Sequence, residues 1–228
     1  MIVRGYRIDL IGGKLMNYSK LSTFVRIYWD YYLDLEEQFL KTKRYVAFDV
    51  YNKNTYSAEF LKLMQAVCSE IDVVSKAISA ELDPTFTVDR YTSIQKWGYV
   101  LQRQMSQILT AEVVFNHDIR VIPWSNWMYE QYRDKKGALR YRLKGTAKTP
   151  SWWAAYNSIK HERTTLTQSG HENYTKANLN NLINCFAALY ILETEYMKSL
   201  HGEQEPIDGI GHSKLFQPYY GRFQELIY

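Results

Sequence analysis

His161 is the side chain in this sequence best suited to moving a proton, and Asn157, four residues before it, is well suited to holding an oxygen. Both lie in TPSWWAAYNSIKHERTT, residues 149–165. On a helix that spacing stacks the two side chains on one face, within reach of one ligand. An imidazole can accept a proton near neutral pH, a carboxamide can position a phosphate oxygen, and the cations Lys160 and Arg163 can offset charge developing there. The same pair also suits a hydrogen-bonded contact with a neighbouring helix, and the spacing alone leaves both readings open.

Placed at about 100° per residue, Trp152, Ala155, Tyr156 and Ile159 form an apolar arc that must face a core. Trp153, Asn157, Lys160, His161 and Thr164 border that arc, while Ala154, Ser158 and Glu162 point to solvent. Glu70, at the margin of an earlier apolar stripe, needs a partner and is expected to buttress the set by meeting Lys160, His161 or Arg163. His117, His171, His201 and His212 lack metal-ligand spacing with one another or with cysteine, so no metal site is expected. No glycine-rich phosphate loop or Ser-His-Asp arrangement is present, and no cofactor is expected.

Positive charge is concentrated just upstream. Residues 129–149 hold seven basic residues against Glu130 and Asp134, so this stretch exceeds the whole chain's net charge of +4 and the remainder is nearly neutral. Such patches attract anions, nucleic acid among them. In ALRYRLK strict alternation predicts a strand with Leu139, Tyr141 and Leu143 inward and Arg140, Arg142 and Lys144 in an outward row. Their spacing of about 6–7 Å is close to that of successive phosphates.

The elements that must position these residues are mostly helical. Phe24, Ile27, Tyr28, Tyr31, Leu35, Phe39 and Leu40 predict a helix over 18–44. Phe60, Met64, Val67, Ile71, Val74 and Ile78 predict one over 56–82, capped by Asn54 or Thr55 and stopped by Asp83-Pro84. Further helices are predicted over 93–109, from Pro150 after the cap candidate Thr149, and over 174–200, where Leu179, Leu182, Ile183, Phe186, Leu189 and Tyr190 face inward. The fold class is therefore mainly α, a bundle of about five helices with a small antiparallel β excursion at about 111–145. One domain of 228 residues is expected: an extension over 1–16 (Met16 being an alternative start), a bundle from 18–110 and 150–200, and an irregular tail over 203–228.

Around Tyr156-Asn157-Ser158-Ile159-Lys160-His161 the sequence resembles the motif of the HEPN superfamily, an arginine, four to six residues often led by a polar one, then a histidine. Asn157 matches the polar position and His161 the histidine, whereas Tyr156 stands where the arginine is expected. The resemblance implies a bundle that dimerises so that two motif helices line a cleft. It also implies an RNA- or nucleotide-interacting protein, either a metal-independent endoribonuclease or a degenerate RNA-binding relative, of the kind found in bacterial stress and phage defence. By that resemblance His161 is the base, with Asn157 and Lys160 beside it, Arg140, Arg142, Lys144 and Arg163 hold nucleic acid, and Glu70, Tyr156 and Trp153 support the helix. The competing expectation is a non-catalytic interaction protein in which the Asn157/His161 stripe is a helix–helix or dimer contact.

Cys68 and Cys185 lie in apolar helical patterns and read as buried free thiols. The longest apolar run, 185–192, is far too short to span a bilayer, so no membrane partner is expected. Residues 1–14 lack the pattern of a signal peptide, and a cytoplasmic location follows as the expectation.

Overall fold

The computed structural model describes residues 18–201 and 210–218. The chain enters through α1 (Tyr18–Phe24), passes without a break through a π turn (Val25–Trp29) and continues as α2 (Asp30–Thr42). α3 (Ala58–Leu82), α4 (Ile94–Gln104), α5 (Ser151–Glu162) and α6 (Leu179–His201) complete a bundle of five helical rods, α1 and α2 being one rod. Between α4 and α5 lie β1 (Val113–Phe115), β2 (Ile119–Val121), β3 (Tyr129–Arg133) and β4 (Leu139–Leu143), followed after α6 by β5 (Phe216–Pro218). The protein is thus mainly α with small antiparallel sheets, ordered β2-β1-β5 and β3-β4.

α3 and α6 form the spine. Both start at the bridge between Tyr56 and Asn178, and the amides of Leu179 and Asn180 donate to the carbonyls of Thr55 and Lys53, satisfying orphan donors at the start of α6. From there they run side by side in one direction. Phe60, Met64, Val67, Ile71, Val74 and Ile78 are all buried as predicted, against Leu182, Phe186 and Leu189. Cys68 and Cys185 meet within this seam as free thiols, and burial pushes the Cys68 thiol well above its ordinary value, which keeps it inert. α3 is capped by Ser57, whose hydroxyl accepts from the Phe60 amide at 3.1 Å, and not by Asn54 or Thr55.

The first helix departs from its predicted phase. Ile27 and Tyr31 are exposed, while Leu21, Phe24, Trp29, Tyr32, Leu35 and Phe39 are buried. The π turn inserts one residue between Phe24 and the next inward side chain. Trp29 and Tyr32 therefore take the inward places that α periodicity assigns to Tyr28 and Tyr31.

The predicted helix over 93–109 ends its α portion at Gln104 and finishes as a 3-10 turn, Ser106–Leu109. The segment beyond residue 203 is likewise more regular than expected where it is described. β5 pairs with β1, Phe216 opposite Phe115, and the segment is tied to α2 by the buried Glu36. That carboxylate accepts from the Tyr32 hydroxyl at 2.8 Å, the Ser213 hydroxyl at 2.5 Å and the Lys214 amide at 2.5 Å. Trp29 Nε1 donates to the Gly211 carbonyl at 2.7 Å. The extension predicted over residues 1–16 falls outside the described residues, as does most of the tail predicted over 203–228.

Candidate functional site

α5 is held by tryptophans. Trp152 stacks edge-on against Trp124 with centroids 5.1 Å apart and donates its Nε1 proton to the Pro123 carbonyl at 2.9 Å. Trp153 meets Trp97 edge-on at 5.8 Å and Tyr156 at 5.4 Å. Trp97 in turn donates to Asp72 Oδ1 at 3.0 Å, fixing the cluster to α3. Trp152, Ala155, Tyr156 and Ile159 are buried as the helical arc predicts, and Trp153 is buried with them. Its place at the polar border is therefore corrected: it is core, because the tryptophan layer beneath α5 is wide enough to take both indoles.

The opposite margin carries the candidate chemistry. Asn157 is half-buried, and Lys160, His161 and Arg163 are exposed. No hydrogen bond, ion pair or ring contact reaches the Asn157, His161 or Arg163 side chain from the described residues. Lys160 instead lies over the Tyr156 ring, Nζ 5.4 Å from its centroid, a cation–π contact. An ammonium thus sits above a buried aromatic ring at the edge of the polar margin.

Glu70 does not join this set. The groups it acts on electrostatically are Tyr28 and Glu193, not the cations of α5, and burial raises its carboxyl above the usual range. The reason is the spine itself: the margin of the α3 stripe bearing Glu70 turns toward the π turn and α6. The concave surface beside α5 is also displaced from the predicted stripe. A shallow polar depression of about 590 Å³ is lined by Ser158, Glu162, Thr165, Gln168, Asn173 and Lys176 among others. It falls on the face expected to be plain solvent, because the chain after α5 folds back there and Lys176 donates to Ser158 Oγ at 3.1 Å.

The predicted strand forms as β4 and pairs with β3 in a hairpin that sets Glu130 opposite Arg142 and Tyr132 opposite Arg140. Its outward row is real, but its charge is partly engaged: Arg140 pairs with Asp134 at 3.1 Å, and Arg142 pairs with Glu130 at 2.7 Å while lying 5.0 Å from the Tyr132 centroid. Lys144 is exposed and has no ion-pair partner among the described residues. Tyr141 faces Tyr99 on α4 as expected of an inward residue, whereas Leu139, at the tip, is 45% exposed. Among the described residues no group of three or more histidine, cysteine or acidic side chains is arranged to hold a metal ion, and no helix is long and apolar enough to cross a membrane.

Sequence reasoning passed over Glu193, fully buried on α6 with neither carboxylate oxygen hydrogen-bonded among the described residues. Its spacing from Phe186 and Leu189 on the apolar stripe is a legible signal. Comparison with known protein families, with curated proteins and with solved structures finds no match to this chain.

Proposed function

We propose that this chain is a HEPN-like RNA-interacting protein whose α5 presents Asn157, Lys160, His161 and Arg163 to a single strand. The observation that carries the reading is that Asn157, His161 and Arg163 have no internal partner among the described residues. A carboxamide and an imidazole that served as an intramolecular helix contact would be paired. An exposed imidazole beside two cations is instead available to a ligand or to a second copy of the chain.

In the catalytic form of this reading, His161 takes the proton of a ribose 2′-hydroxyl. The 2′-oxygen attacks the adjacent phosphorus, the bond to the 5′-oxygen breaks, and the leaving oxygen recovers a proton from the imidazolium or from water. Asn157 positions the phosphate, and Lys160, held over Tyr156, supplies charge in place of the motif arginine. No metal ion takes part in these steps.

The test is incubation of the purified protein with single-stranded RNA in EDTA. Cleavage by wild type and a loss of about a hundredfold or more in His161→Ala is the expected result, since one acid–base group contributes about 10²–10⁴-fold. RNA binding without cleavage retains the binding form of the proposal and removes the catalytic one. Neither binding nor cleavage overturns both.

A further inference from the structure

A second cluster lies at the far end of the first rod, outside the α5 site. Lys43 closes α2, Asn116 and His117 form the turn between β1 and β2, and Lys214 belongs to the segment anchored by Glu36. Together with Gln217 they line a cleft of about 120 Å³ whose floor is Leu40, Phe48, Phe115 and Leu215. Two lysines and a histidine thus converge from three separate parts of the chain, and no carboxylate is among the lining residues. None of the three side chains has an ion-pair partner among the described residues. The nearby Glu37 is bonded to Lys41 at 2.9 Å, on the same helix, and acts on Lys214 only at longer range.

The turn itself adds a second observation. Asn116 and His117 both have positive φ, 48° and 76°, the conformation that a tight hairpin needs to match strand twist and that glycine adopts at least cost. At the second position this chain has an imidazole instead. The Asn116 amide is fixed by donating to the Phe48 carbonyl at 2.8 Å, which holds the turn over the cleft.

We propose that this cleft binds a phosphate group, with Lys43, Lys214 and His117 as its charge partners. Cations in excess of their counter-charge favour an anion. The volume of about 120 Å³ equals roughly four water molecules at ~30 Å³ each, enough for a phosphoryl head and too little for a whole nucleotide. The ligand is therefore inorganic phosphate or the terminal phosphate of a larger molecule that otherwise remains in solvent. This site does not depend on the α5 reading.

The test is a calorimetric titration with inorganic phosphate, adenosine monophosphate and adenosine, at constant ionic strength in chloride. Saturable binding of phosphate or of the monophosphate, and none of adenosine, is expected. Tighter binding of inorganic phosphate identifies the free anion as the ligand, and tighter binding of the monophosphate identifies a phosphate ester. The double variant Lys43→Gln/Lys214→Gln should weaken the binding at least about tenfold. His117→Gly should weaken it as well while melting no lower than wild type, because glycine relieves the positive φ, so loss of binding cannot be ascribed to unfolding. Absence of saturable binding by wild type, or wild-type affinity in the lysine variant, overturns the proposal.

Discussion

Glu193 carries an ionisable group into the spine without a hydrogen bond among the described residues to compensate it. Burial, and then Glu70 beside it, push its carboxyl well above the usual carboxylate range, and the half-buried Glu70 is raised by burial in the same direction. The folded chain therefore holds a proton at Glu193 that the unfolded chain releases near 4.5. With more protons bound to the folded state, stability is greatest below that value and falls as pH rises toward the folded pKa. The slope contributed is at most ~1.4 kcal/mol per pH unit, or roughly 3–6 °C of melting temperature. Thermal melts from pH 5 upward should show wild type losing stability, and Glu193→Gln should show a flatter profile that gains on wild type as pH rises. Parallel profiles would mean that Glu193 does not hold the proton. The paired acids Asp83, Asp89 and Asp134 have lowered values, and their opposite trend is confined to more acidic pH.

At the scale of the element, Gly98 on α4 makes a sharp case. A Cβ there would lie 2.5 Å from a ring carbon of Trp127 and 2.9 Å from Tyr129, both in the aromatic layer beneath α5. Alanine ordinarily improves a helix interior by up to ~1 kcal/mol over glycine. Here overpacking reverses the sign, and Gly98→Ala should destabilise by ~1–3 kcal/mol, seen as a lower urea midpoint at unchanged slope. The same aromatic layer explains what was legible in the sequence. The α3 and α6 stripes follow 3.6-residue periodicity over six turns or more, and their burial agrees side chain by side chain. The first rod does not, since one inserted π residue redirects Ile27 and Tyr31 to solvent, and nothing local in YSKLSTFVRIYW announces it. On α5 the inner arc was legible, whereas the burial of Trp153 depends on Trp97 and Trp152 lying against it. The cleft of Lys43, His117 and Lys214 was invisible for a related reason: its members come from three segments joined only by tertiary contacts.

For the whole molecule, the basic excess of residues 129–149 matters through long-range attraction more than through the arginine row. Arg140 and Arg142 must break pairs with Asp134 and Glu130 before they can serve a phosphate, whereas Lys135, Lys136, Lys144 and Lys148 are exposed without ion-pair partners among the described residues. If single-stranded RNA follows the hairpin toward α5, neutralising these four lysines should lower the slope of log affinity against log salt by roughly 0.7 per lost contact. Neutralising the two arginines should change it less. A gel-shift titration at several salt concentrations decides the matter, and equal slopes in the lysine variant and wild type would remove the hairpin from the interface.

The pairing of β5 with β1 also sets a schedule. Phe115 waits for Phe216, about a hundred residues downstream, and at ~5–20 residues per second of synthesis that is an interval of about 5–20 s. Throughout it the nascent β1 has a partner on one side only, an open edge of the kind that recruits strands from other chains, and the Glu36 carboxylate lacks the Ser213 hydroxyl and Lys214 amide that later satisfy it. The helical spine can assemble on the ribosome from contacts already made. The three-stranded sheet is finished only after its last strand has left the exit tunnel, so the cell's chaperones meet this chain with its helices packed and one strand unguarded.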